Sequence, residues 1–147
     1  MLARAGTVWF GILLMAIFNG AFRDVVLTPR LGDLGARAVS CLTLAALIVF
    51  VTWISLPWVR PVSTTDAWRI GSMWLAMTLI FEFGAGHYLL GTPWTALLAD
   101  YNLLAGRLWI LVLIATLTAP TLVHRAGHNH LNDAEFYSPT SDDTPRP

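Results

Sequence analysis

Glu82 is where any chemistry in this chain has to begin, because it stands alone in the apolar stretch IGSMWLAMTLIFEFGAGHYLLG, residues 70–91. An ionised carboxylate in hydrocarbon costs at least a few kcal/mol, so Glu82 must face protein or water, hold a proton, or meet a cation. Two roles fit such a residue: a site for a proton or small ion that moves, or an ion pair or hydrogen bond between packed helices. His87 follows five residues later, about 140° round an ideal helix, so the two converge only if Gly84 and Gly86 distort the backbone or another helix brings a partner. An imidazole at that point suits a proton relay, a metal ligand, or a plain interfacial hydrogen bond to a carbonyl.

Four further residues flank the apolar runs. Asn19 and Arg23 are four apart and share a helical face with Ile12 and Ala16. The planar guanidinium fork could hold a carboxylate or phosphate there, or Arg23 could reach for lipid headgroups. Asp100 and Arg107 also share a face, and most simply they tie an interfacial helix to the span that follows. The candidate binding residues are therefore Glu82, His87, Asn19, Arg23, Asp100 and Arg107. No catalytic set is assigned, since HExxH, GxSxG, P-loop and paired-cysteine patterns are absent from the sequence. His124, His128 and His130 are crowded enough to ligate a metal, but they fall in a polar segment better read as solvated. His87 alone gives no axial pair for haem, and neither cofactor nor metal is expected.

Composition says what must position these groups. Of 147 residues 56% are hydrophobic and only 12% charged, with a mean hydropathy of +0.62. Soluble domains carry about 25% charge, so the chain is expected to be an integral membrane protein. Nine arginines, with no lysine, balance nine acids. No basic stripe results, which argues against a nucleic-acid partner and leaves membrane lipids as the obvious one. Seven Trp and seven Phe suit interfacial belts. The single Cys41 excludes an internal disulfide and reads as packing.

Four spans are expected, at about residues 6–22, 36–56, 67–90 and 107–123. The first also has the look of a signal peptide, with Asn19-Gly20-Ala21 as a loose cleavage site, but its apolar run is longer than such signals usually are. Residues 23–35 form a polar connection broken by Thr28-Pro29 and two glycines. In the second span, Ala38, Cys41, Ala45 and Thr52 make a stripe suited to close packing, and Pro57 and Pro61 end it. A Ser, Thr or Asp between residues 63 and 66 caps the third helix. Glu82 shares a face there with Gly71, Thr78, Ala85 and Gly86, which points it at another helix and not at lipid. Gly84 and Gly86 predict a bend or unwinding. Trp94, Leu97, Leu98, Tyr101 and Leu104 recur at helical spacing, as in a short amphipathic helix lying in the interface between spans three and four. Residues 124–147 read as a disordered polar tail. The fold class is thus all-α, a four-transmembrane-helix bundle in one domain without internal repeats.

Alternating spans bring the end of the first, the start of the second, the end of the third and the start of the fourth to one side. Asn19, Arg23, Asp24, Arg37, Glu82, His87, Asp100 and Arg107 are therefore expected to gather beneath one membrane face. Arginines tie at four per side, and pairing of the second set with acids would leave the positive excess with the termini, placing both in the cytoplasm.

The segments NGAFRD, FEFGAGHYLLG and LLADYNLLAGRLW resemble those of an uncharacterised group of small bacterial four-span membrane proteins, over most of residues 6–123. The resemblance implies a membrane architecture and a bacterial inner-membrane setting, and no activity. The leading functional expectation is binding and movement of a small ion, proton or polar solute through the cluster around Glu82, in a homo-oligomer or larger membrane complex. The alternatives are a non-enzymatic accessory or assembly subunit, and a membrane enzyme acting on a lipid-linked substrate.

Overall fold

The computed structural model describes residues 1–89, 91, 93–95 and 108–136, with backbone alone for residue 89 and residues 128–136. The described residues are all-helical, with no strand among them. The helices are α1 (Leu2–Phe22), α2 (Thr28–Val59), α3 (Thr64–Gly84) and α4 (Trp109–Phe136). Five-residue π-helical turns, Arg23–Leu27 and Ala85–Leu89, follow α1 and α3. Two stretches are long and apolar enough to cross a membrane, Leu2–Val59 and Trp109–Gly127. The helix that carries Arg69 and Glu82, α3, is not one of them.

The first stretch is not one rod. Helical hydrogen bonding runs on through the expected polar connection, but Gly32 sits at φ 73, ψ 170, a conformation open to glycine and closed to side chains with a Cβ. The chain doubles back around this region. Arg4 Nη1 donates to the Trp58 carbonyl at 3.1 Å, and Asn19 Nδ2 donates to the Ser40 carbonyl at 3.0 Å and to its hydroxyl at 2.7 Å. Those pairings make α1 and α2 antiparallel.

Two tryptophans fix the next pairing. Trp9 Nε1 donates to Thr78 Oγ1 at 3.0 Å, and Trp74 Nε1 donates to the Ala5 carbonyl at 2.8 Å. Both bonds join residues 69 apart, so α1 and α3 run parallel in one register. Trp74 and Ala5 are fully buried and Trp9 nearly so, which takes these two rings out of the expected interfacial belt and into the core. Ile12, Leu44, Ile48, Val59, Ile70, Val112 and Ala119 complete it. The fourth helix packs against both α2 and α3. Its closest approach is at Gly71, where an added Cβ would collide with the Leu117 carbonyl and lie 2.9 Å from its carbon.

Several local expectations are corrected in detail. The inward stripe of α2 is Ala36, Ser40, Leu44, Ile48, Thr52 and Leu56, a period of four that includes Thr52 but leaves Ala38, Cys41 and Ala45 beside it, half-buried. Ser63 is the cap of α3, its hydroxyl accepting from the Asp66 amide at 3.2 Å. Pro57 is accommodated inside α2, which ends at Arg60 in the left-handed conformation, φ 58. The last helix does not stop at 123 but continues through His124 to Phe136, so a disordered tail beginning at 124 is not what the backbone adopts there. Residues 137–147 lie outside the described residues.

The two halves also show a partial likeness that the sequence analysis does not find. Each of α1 and α3 has 21 residues and leads into a five-residue π-helical turn. At one constant spacing, Gly20-Ala21 and Thr28-Pro29 of the first half recur as Gly84-Ala85 and Thr92-Pro93 of the second. At that same spacing buried Thr52, donating to the Ile48 carbonyl at 2.6 Å, recurs as buried Thr116, donating to the Val112 carbonyl at 2.8 Å. That spacing and the spacing of the helices themselves differ by two residues, so the likeness is limited to parallel helices α1 and α3 of equal length, each leading into a π-helical turn.

The Gly71 contact gives a direct check on this arrangement. Gly71→Ala forces backbone apart at the α3–α4 contact and should lower stability by about 1–3 kcal/mol, with Gly71→Leu worse. Gly11→Ala, where a Cβ meets nothing within 4 Å, should be neutral or slightly stabilising. Thermal unfolding of the purified variants in detergent measures the difference.

Candidate functional site

Glu82 points at α4. Trp109 Nε1 donates to its Oε2 at 2.8 Å, and the carboxylate is half-buried at the α3–α4 interface. Thr78, one turn earlier, is turned to α1 through Trp9, and Gly71 lies under α4. The small and polar face read from the sequence is therefore the packing face of α3. Ile80, two residues earlier and so on the opposite side of α3, is 72% exposed and carries the outward face.

Its depth differs from the expectation. Because α1 and α3 keep one register, Leu13 is level with Glu82, about 9 Å below Asn19 and about 15 Å below Arg23 at 1.5 Å rise per residue. Arg69, at the other end of α3, is about 20 Å away by the same rise. The acid is thus level with the middle of α1, though in the last turn of α3, and it does not share a level with Asn19 and Arg23. That part of the predicted cluster is corrected.

The other predicted residues are engaged locally. Asn19 is spent on Ser40, as a clasp within the first hairpin. Arg23 Nε donates to Asp24 Oδ1 at 2.9 Å, next to it in sequence. Arg37 Nε donates to both oxygens of Asp33, at 3.1 and 3.0 Å. Both pairs are solvent-exposed at the acid, so each contributes at most about 1 kcal/mol.

His87 lies in the π-helical turn after α3, where the glycines predicted unwinding. Its ring is 4.3 Å from the Trp94 ring, centroid to centroid, and meets Tyr88 edge-on at 5.0 Å. Phe83 stacks on Trp94 at 5.9 Å. His87 thus belongs to an aromatic cluster at the end of the second hairpin. Asp100 and Arg107, with most of the expected interfacial helix, lie outside the described residues. No group of three or more His, Cys, Asp or Glu stands together among the described residues.

Sequence reasoning missed Trp109 as the partner of Glu82 and Ser40 as the partner of Asn19. A tryptophan at the first turn of a span reads by default as a belt residue, and a lone serine in an apolar run carries no signal of its own. The register of two helices decides both.

What these features define is a class only: a helical protein with two stretches apolar enough to cross a membrane and an acid held between helices. Neither family models, curated proteins nor solved structures yield a match to this chain.

The Glu82–Trp109 bond has a measurable strength. Trp109→Phe keeps the ring and removes the donor, and should cost about 1–3 kcal/mol of thermal stability if the carboxylate is ionised. Glu82→Gln retains an acceptor oxygen and should cost less than Trp109→Phe. Unfolding midpoints of the two variants and of the wild type make the comparison.

Proposed function

We propose that this chain is an integral membrane protein of four spans in which Glu82 binds a proton or small cation during its passage, or that of a coupled polar solute, across the membrane. One observation carries the proposal. A half-buried carboxylate lies in the last turn of the apolar helix α3, at its interface with the start of α4, and accepts from the Trp109 indole. Acids in such surroundings are expensive and by default mark ion or proton pathways. A charge there is retained at lower cost if it can take up a proton or cation. The resemblance to small four-span bacterial proteins supports an inner-membrane setting. A chain of this size encloses little volume, which favours a homo-oligomer or a larger membrane complex as the working unit.

A second reading has an observation of its own. Asn19, Arg23 and Arg37 are held by Ser40, Asp24 and Asp33, an arrangement that suits a rigid accessory subunit docking to a partner membrane protein. Glu82→Gln separates the two. On the transport reading it abolishes pH-gradient-driven flux in proteoliposomes, read by an internal pH dye, while the fold by circular dichroism is kept. Retained flux, or none in the wild type with a co-purifying membrane partner lost in the variant, would overturn it.

Charge placement bears on orientation. Pairing with Asp24 and Asp33 offsets Arg23 and Arg37 at one end. Arg4, Arg60 and Arg125 cluster with the amino terminus at the other, so both termini belong in the cytoplasm by the positive-inside tendency. In a Cys41→Ser background, Arg30→Cys should react with a membrane-impermeant maleimide on intact cells. Ala126→Cys should react only after permeabilisation.

A further inference from the structure

We infer that the face bearing the amino terminus is a binding surface for the phosphate of anionic phospholipid headgroups. This rests on the proposed membrane setting and adds a partner class to it. The helix pairings bring one arginine from each quarter of the molecule to this end. Arg4 bonds the Trp58 carbonyl, which puts it beside the end of α2 and therefore near Arg60. The Trp74–Ala5 bond puts the start of α3, with Arg69, beside the start of α1. Leu117 lies on Gly71, and following antiparallel α4 for about 12 Å from there brings Arg125 level with Ser63.

Among the described residues little neutralises these charges from within. Asp66 is the acid near this end whose side chain is described, and it is already taken by Arg69 at 3.3 Å. Among the described residues Arg4, Arg60 and Arg125 have no carboxylate partner, and all three are exposed. At the opposite end Arg23 and Arg37 each hold an aspartate and, among the described residues, Arg30 has no carboxylate partner, so it is the gathering of three such arginines that singles this face out.

The donors are also held in place. Arg4 uses Nη1 on the Trp58 carbonyl and lies 5.7 Å from the centroid of that ring, which leaves its remaining N–H groups directed to an external acceptor. Arg60 is fixed by the left-handed helix end, its amide on the Leu56 carbonyl at 2.9 Å, and by Pro61 after it. Around them Trp53, Trp58 and Trp68 are 62%, 50% and 42% exposed, and Val62 is 86% exposed. Amphipathic rings at the level of guanidinium groups are what a headgroup layer selects. Fixed guanidinium forks with apolar and indole surface beside them match a phosphodiester attached to acyl chains, and they fit a free phosphate or a zwitterionic headgroup less well.

The test uses the full chain purified in nonionic detergent, titrated with phosphatidylglycerol, phosphatidylcholine or inorganic phosphate, and followed by thermal unfolding. Phosphatidylglycerol should raise the midpoint at about tenfold lower concentration than phosphatidylcholine, and inorganic phosphate should not raise it. Arg4→Gln/Arg60→Gln/Arg125→Gln should erase that preference. The corresponding triple lysine variant and Arg30→Gln, on the opposite face, should keep it. Equal responses to the two lipids, an unchanged preference in the triple glutamine variant, or a response to inorganic phosphate matching that to phosphatidylglycerol would overturn the inference. Should the triple glutamine variant fail to fold, Arg60→Gln and Arg125→Gln singly must each reduce the preference. Whether the chain is extracted from membranes by detergent and not by alkaline carbonate tests the membrane setting separately.

Discussion

A polar hydrogen buried among apolar side chains has to find an acceptor, and the placement of the helices follows from where those acceptors are. An unmade bond of this kind costs about 1–3 kcal/mol, more than most single apolar contacts contribute. Trp74, fully buried, meets this demand on the Ala5 carbonyl, and Trp9 meets it on Thr78. Together they leave α1 and α3 only one register. Asn19 does the same for α1 and α2 through Ser40, and Trp109 for α3 and α4 through Glu82. Apolar burial brings helices together without choosing how far one slides along the next. These few bonds choose.

Register in turn sets depth, and depth sets what Glu82 can be. One hydrogen bond to a charged group contributes about 1.5–3 kcal/mol, whereas removing a carboxylate from water costs several. The indole of Trp109 therefore falls short of offsetting an ionised Glu82 by itself. The remainder must come from further polar partners, from a proton, or from a bound cation. Which of these supplies the difference decides whether Glu82 is a site or only a clasp.

Much of this was legible in the sequence, for identifiable reasons. The helical content, the boundary near Phe22 and the Ser63 cap all follow from local patterns, whereas after Gly84 the chain stays helical as a π-turn where a bend or unwinding was expected. The inward face of α3 was legible too, because small residues share it with Glu82. What could not be read was whatever depends on two helices at once: the partners of Asn19 and Glu82, the removal of Trp9 and Trp74 from the belt, and the depth of the acid. Hairpin connectivity correctly groups helix ends, but it does not say how far along α3 the carboxylate sits. The likeness of α1 and α3 was hidden for another reason. Equal helix lengths ahead of a π-helical turn leave no mark on a sequence, and the recurring Gly-Ala and Thr-Pro pairs are common dipeptides that fall at different places in the two helices.

The two helix pairs also bear on why an acid is there at all. Each of the α1–α2 and α3–α4 pairs carries a polar tie between its helices, and the first makes it with Asn19 and Ser40, both neutral. An amide donating to a hydroxyl and a carbonyl carries no charge into the helix interface and so avoids the large desolvation cost of a carboxylate. The second hairpin therefore meets a shared geometric need with the more expensive of two available chemistries. Holding helices together does not require that choice, since a neutral pair achieves it in the sister hairpin. A group that can change its charge is what the carboxylate adds.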